Sequence, residues 1–261
     1  MLRGMWSAAS GMSSNQMMID VISNNLANVN TVGFKKSRPD FQDLMYQTLS
    51  PGGSRTSSGD QIPTGIQIGM GAMPVGVQKM FMQGDFKGTQ NELDLAIEGR
   101  GFFKVISNEE EVYTRAGNFK LDSEGNICTP NGDKLQPAMS VPTADAVTIK
   151  IDKAGTVSVI NPSGQATVLG VIELYSFANP AGLYSMGHNL FRASDASGEA
   201  IAGTPGSNGM GTIAQGFIEM SNVDVVEEMV AMIMAQRAYE ISSKSIQTAD
   251  NMLQIANNIK R

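Results

Sequence analysis

The chain has 261 residues, 19 Lys and Arg against 25 Asp and Glu, and a net charge of −6, so nucleic acid and anionic membrane are poor partners for it. Apolar residues reach 41%, which is too high for a disordered acidic chain and enough for a sizeable core in one large domain or two smaller ones. Charged residues make up only 17% while glycine numbers 28, a balance that suits surfaces packed against protein rather than held in water.

From the start of the chain, Leu2, Met5, Ala9, Met12, Gln16, Ile19, Ser23 and Leu26 recur at alternating spacings of three and four. That is a heptad stripe and predicts a helix from residue 1 to about residue 30. Its other faces carry Ser7, Ala8, Ser10, Gly11, Ser14, Asn15, Asn24 and Asn25 instead of Glu and Lys, so most of its circumference should touch protein. Gly11 weakens it by about 1 kcal/mol against Ala, and ordering should await packing. The helix should stop within Asn28-Val29-Asn30-Thr31-Val32-Gly33, where Asn and Gly tolerate left-handed backbone. No continuous apolar core follows Arg3, so no cleaved signal peptide is expected, and no run of apolar residues is long enough to span a membrane.

Residues 34–50 offer Phe34, Phe41, Leu44, Met45 and Tyr46 as expected anchors. Residues 50–75 are rich in Ser, Gly and Pro, and Ile62, Ile66 and Ile68 alternate with polar residues as an extended edge would. Residues 76 to about 215 predict short strands divided by turns. Leu93–Ile97, Gly101–Val105, Val112–Arg115, Asn118–Leu121 and Val168–Phe177 are strand candidates. Val147–Ile151 and Thr156–Val159 make a hairpin across Asp152–Gly155. Residues 193–211 look like loop.

A second helix should begin near Asp224, with Glu227 and Glu228 suited to its positive end. Met234, Ala238, Ile241, Ser245, Thr248, Met252, Ile255 and Ile259 repeat the heptad stripe. A helix over residues 224–258 would be roughly 50 Å long and should project from a β domain. The expected fold class is α+β: N- and C-terminal helices pairing as a coiled coil, with a mainly antiparallel β region between them.

No catalytic constellation survives inspection. Cys128 is the single cysteine and His188 the single histidine, which excludes an internal disulfide and a Cys/His zinc cluster. The glycine clusters lack a following Gly-Lys-Ser/Thr, and no G-x-S-x-G elbow accompanies His188. Asp94 and Glu98 read as a solvated turn rather than as paired catalytic carboxylates. No enzyme activity, cofactor, metal or small-molecule substrate is expected. A small oligomeric binding module and a secreted hydrolase remain as other classes.

Four motifs then carry a resemblance. Asn24-Asn25-Leu26-Ala27-Asn28, with Asn30, Thr31, Gly33 and Phe34, is the first. Glu98-Gly99-Arg100-Gly101-Phe102-Phe103 is the second, and Tyr113-Thr114-Arg115-Ala116-Gly117-Asn118-Phe119 the third. Ser221-Asn222-Val223-Asp224 through Gln236-Arg237-Ala238-Tyr239-Glu240 is the fourth. Together they cover nearly the whole chain and resemble the bacterial flagellar rod and hook proteins, the axial family of the basal body. Length and the segment with Gln61, Pro63, Gly65, Ile66, Ile68 and Gly69 are most similar to the distal-rod branch, with the proximal-rod branch the nearest alternative.

The resemblance implies a division into residues 1–30 with 222–261 as a helical coiled-coil domain, 31–75 as a connecting and bracing segment, and 76–221 as a β-rich outer domain. It implies a helical homopolymer whose terminal helices line a central channel. It further implies other rod subunits, the hook protein, surrounding ring proteins and the flagellar type III export machinery as partners. The location it implies is the rod that crosses the periplasm, reached by export without a cleaved signal. Leu2, Met5, Ala9, Met12, Ile19 and Leu26, with Met234, Ala238, Ile241, Met252, Ile255 and Ile259, are the expected assembly interface.

Overall fold

The computed structural model describes residues 2–53, 63–142, 148–162, 165–207 and 209–259. Gln61 and the side chains of Leu2 and Ile259 lie outside the described set. The fold is α+β, with one long helix at either end, α1 (Leu2–Ala27) and α2 (Val225–Ile259), and short strands between them. Every strand pair with a described register is antiparallel. The chain divides into two compact units: Met1–Leu26, Ser37–Gln78 and Val225–Arg261 form the first, Ala27–Lys36 and Lys79–Asp224 the second.

In the first unit each helix has a protected face, and it mixes small residues with a few larger ones. On α1 this face runs through Ser7, Gly11, Ser14, Met18, Ile22 and Asn25. On α2 it runs through Glu228, Ala231, Ala235, Ala238, Ser242, Ile246 and Ala249. A Cβ placed on Gly11 would lie 3.6 Å from the Ser242 hydroxyl, so the backbones approach closely there. The expected stripe of larger side chains is placed differently. Met5, Met12, Ile19 and Leu26 are half-buried and Ala9 is exposed. On α2 only Ala238 of that stripe is half-buried, while Met234, Ile241, Met252 and Ile255 are 49–67% exposed. Pairing of the two large-residue stripes as a coiled coil is therefore not seen within one chain. The period was right and the phase differs, because small residues such as Gly11 and Ser242 permit close approach.

The same unit carries a β arm. Strand Ser37–Asp43 pairs with Ala72–Lys79, and Tyr46–Ser50 pairs with Ile66–Gly69 in the register Gln47↔Ile68. The Ala72 amide donates to the Ser10 hydroxyl at 3.3 Å, which ties the arm to α1. The expected anchors Phe41, Met45 and Tyr46 prove exposed, Met45 by 86%; of that set only Phe34 is buried, and it belongs to the second unit. A two-stranded ribbon has no inner layer to bury them in.

The second unit is the β body. Its largest sheet has seven strands, in the spatial order 184–187, 190–192, 110–114, 103–107, 134–136, 127–128 and 120–121. A three-stranded sheet contains the expected hairpin, with Ile149 opposite Val159 and Ile151 opposite Val157. Inward residues of these sheets, including Phe103, Val105, Val112 and Val157, make the main core together with Leu95, Ile97 and Leu174 from two smaller two-stranded pairs. A separate aromatic cluster gathers Phe102, Tyr113, Tyr175, Phe177 and Phe191. The run expected as one strand over 168–177 is two, Ala166–Val171 and Leu174–Ser176. The second of these pairs with Ile201–Gly203, inside what was expected as loop. Asp94, expected in a solvated turn, is buried and accepts from the Asn91 side chain at 3.1 Å.

Candidate functional site

The chain leaves α1 through the Asn-rich motif, where Asn25, Asn28 and Thr31 make defined hydrogen bonds. The Thr31 amide donates to the Asn28 carbonyl at 3.1 Å, and the Thr31 hydroxyl to the Asn28 side chain at 3.2 Å. Asn25 is 1% exposed; its amide group donates to the Ser37 carbonyl and to Glu228, and its oxygen accepts the Ser37 amide. Asn25 therefore fixes where the β arm starts relative to both helices of the first unit. Asn24, Ala27 and Asn30 are exposed, and Leu26 and Asn28 are half-buried.

Gly33 opens a second cluster, wholly inside the β body. Its φ is +69°, and a Cβ there would come within 2.6 Å of the Ala116 amide nitrogen. Only glycine satisfies both conditions. The Gly33 amide donates to the Glu219 carbonyl at 2.8 Å. Phe34 is buried beneath the Lys79 ammonium, which stands 4.8 Å from its ring centre. Lys35 is 1% exposed and donates to Glu219 Oε1 and to the Met82 carbonyl, both at 2.6 Å.

Glu219 is the centre of this cluster. Arg115 Nε donates to its other oxygen at 2.5 Å, and the Gly84 amide donates to Oε1 at 3.0 Å. The remaining Arg115 donors reach the carbonyls of Ile97, Gly99 and Gly101, so the Gly-Arg-Gly motif supplies a socket for the guanidinium. Asn222 closes the far side. Its oxygen accepts the Lys36 amide at 2.7 Å, and its amide group donates to the carbonyls of Met80 and Met82. Burial works against the Glu219 charge, but Arg115 and Lys35 outweigh it and hold the carboxyl below the usual carboxylate range. Burial also pushes the Lys35 ammonium below its ordinary value, with Glu219 opposing and Arg115 adding to the push. The carboxylate is therefore held ionised between the two cations.

The sequence motif includes Asn25, Gly33 and Phe34, whereas the sequence did not join Lys35, Arg115, Glu219 and Asn222 into one cluster. A lysine directly after a buried Phe, and a lone Glu in an apolar strand, were the available signals. Of the expected bracing residues, Pro63, Gly65, Ile66 and Ile68 are exposed and Gly69 is half-buried. Met5, Trp6, Ala9 and Ile246 line an apolar cleft in the first unit, with Trp6 71% exposed. Among the described residues, no group of three His, Cys, Asp or Glu is placed to hold a metal, and no helix is long and apolar enough to cross a membrane.

Three family profiles match the chain in order. "Flagella basal body rod protein" matches residues 5–35, "Flagellar hook protein FlgE/F/G D1 domain" residues 96–159, and "Flagellar basal body rod FlgEFG protein C-terminal" residues 214–259. The flagellar basal-body rod protein FlgG of Borreliella burgdorferi is 49% identical over the full length of both chains. That of Caulobacter vibrioides is 44% identical over 99% of this chain and all of its own. That of Bacillus subtilis is 41% identical over the full length of both. Lys35 falls in the first matched segment, Arg115 in the second, and Glu219 and Asn222 in the third. The buried cluster is thus assembled from one part of each segment, and this chain belongs to the flagellar basal-body rod and hook protein family.

Proposed function

We propose that the chain is a structural subunit of the distal flagellar rod. Many copies polymerise into a stiff, hollow helical tube that crosses the periplasm, passes torque from motor to hook and conducts exported subunits. Its role is mechanical and involves no catalysis. The observation that carries this reading is the outer stripe of α2, where Met234, Ile241, Met252 and Ile255 stay exposed at heptad spacing. Long apolar side chains in that pattern call for helical partners, and among the described residues these four stay 49–67% exposed. Neighbouring copies would supply them, and the coiled-coil pairing belongs to the polymer. A contact between unlike surfaces that does not close on itself generates a filament.

The β arm fits the same assembly. Tyr46, Leu49, Ile66 and Ile68 are 38–57% exposed on a ribbon too thin to be stable alone in water. Residues 31–75, with Pro63, Gly65, Ile66, Ile68 and Gly69, would brace adjacent copies and stiffen the tube. Other rod subunits, the hook protein and the surrounding rings would be its neighbours, and the type III apparatus its exporter.

The test is electron microscopy of basal bodies from the source strain lacking this gene. A truncated rod without a hook is expected, and complete hook–basal bodies would sink the proposal. A purified-protein measurement runs beside it. Trp6 is the sole tryptophan and is 71% exposed, so its emission should shift to the blue as filaments form.

A further inference from the structure

The outer stripe of α2 holds large side chains of two chemical kinds. Ile241 and Ile255 are hydrocarbons and resist mild oxidants, whereas Met234 and Met252 carry thioether sulphurs. Met234 is 67% exposed and Met252 49%, so both side chains are open to a small water-soluble oxidant. Met139 and Met210 are the contrast. They lie in the core of the β body, packed over Gly170 and Gly203.

The polar members of the same stripe are already satisfied. The Ser245 hydroxyl donates to the Ile241 carbonyl at 2.9 Å, and the Thr248 hydroxyl to the Lys244 carbonyl at 2.8 Å. Each donor has its acceptor, so both can be covered by a neighbour at little cost. A methionine sulfoxide differs from them. Its oxygen only accepts, and the interior amides of α2 already donate along the helix. The helix backbone has no free donor for that oxygen, so burial in an apolar seam would leave it unpaired.

We propose that Met234 and Met252 are modification sites: a hydroperoxide oxidises their thioethers in the free subunit, and the sulfoxides bar that subunit from the polymer. This rests on the polymer reading above. A sulphur lone pair attacks one peroxide oxygen and the O–O bond breaks. The displaced hydroxide takes the proton from the new S–O–H group and leaves as water. Sulphur loses two electrons and the peroxide gains them. The product is uncharged and still faces water in the free chain, so the fold is kept while the seam loses its apolar character. Neighbouring copies that cover the stripe would shield the same sulphurs, so oxidation acts before assembly and not after it.

Hydrogen peroxide applied to the full-length chain, followed by peptide mass spectrometry and sedimentation, tests the two sites. In the free chain Met234 and Met252 should gain one oxygen at least about 10-fold faster than Met139 and Met210, with the melting temperature unchanged. Equal rates at all four would overturn the sites. The oxidised chain should give at least about 5-fold less sedimentable filament than the untreated chain. A variant carrying both Met234→Leu and Met252→Leu should keep its filament yield through the same treatment. Met186→Leu, at a side chain 44% exposed on the β body, should give no such protection. Full yield from wild-type chain bearing both sulfoxides would overturn the proposal, and so would equal loss in the paired variant. An untreated chain that forms no filaments would count against the rod reading, while the oxidation rates still decide whether the two sites are selective.

Discussion

Gly33 shows how a single residue can fix a turn. Gly33→Ala meets two penalties at once, a left-handed backbone and a Cβ within 2.6 Å of the Ala116 nitrogen. The expected loss is about 2–4 kcal/mol, since strained backbone alone costs on the order of 1–3. Urea unfolding measures it, and an unchanged midpoint would mean the turn yields. Glu219→Gln removes the one negative charge between Lys35 and Arg115, leaving two buried cations without a counter-charge. A loss of about 3–5 kcal/mol is expected for a buried pair broken from one side. These residues were unequally legible in the sequence. Asn25 and Gly33 announce themselves because turn chemistry is local. The Lys35–Glu219 and Arg115–Glu219 bonds span 184 and 104 residues, and the local signals at Lys35 and Glu219 do not say which residue each one meets.

Helix faces are where sequence pattern and structure part company. Spacings of three and four located α1 and α2 to within a few residues, but the protected face took another phase, with small residues such as Gly11, Ala235 and Ser242 beside Ile22 and Ile246. The apolar count favoured Met234 and Ile241, yet Ala235 and Ser242 take the inner side. At Gly11 and Ser242 the inner face is set by how near two backbones come. The outer stripe has no reason to exist in one chain, which is why its partners were not legible from one chain's fold. Two substitutions separate the faces. Ala235→Leu overfills a position that is 3% exposed and should cost about 1–3 kcal/mol of stability. Ile241→Asp, on a side chain 65% exposed, should change the stability of the free chain by less than about 0.5 kcal/mol. It should nevertheless abolish sedimentable filaments. Filaments of Ile241→Asp at wild-type yield would remove the outer stripe from the assembly interface. The β arm was legible as an extended edge, but its exposure was not, because Phe41, Met45 and Tyr46 have the composition of core residues.

At the scale of the whole molecule, acidity sets two opposing trends. Each copy carries a net charge of −6 near neutrality, and the isoelectric point is near 4.9. Lowering the pH toward that point discharges the copies, weakens their mutual repulsion and favours association through the exposed apolar faces. Glu219 acts the other way. Its carboxyl is held below the usual carboxylate range in the folded chain, so its contribution to stability is complete above the unfolded value and is lost as the pH falls through the folded one. Filament yield should therefore rise as the pH is lowered from 7 toward about 5. Below the ordinary carboxylate range, the near-ultraviolet circular dichroism of the aromatic cluster should fade as the β body loosens. Glu219→Gln has no carboxyl to protonate at this position, so it should flatten the acid limb of the stability curve while leaving the rise in association above it. Sedimentation and circular dichroism across the same pH series test both limbs. An acid limb equally steep in Glu219→Gln would assign the loss to other carboxylates and remove Glu219 from the centre of the body's acid sensitivity.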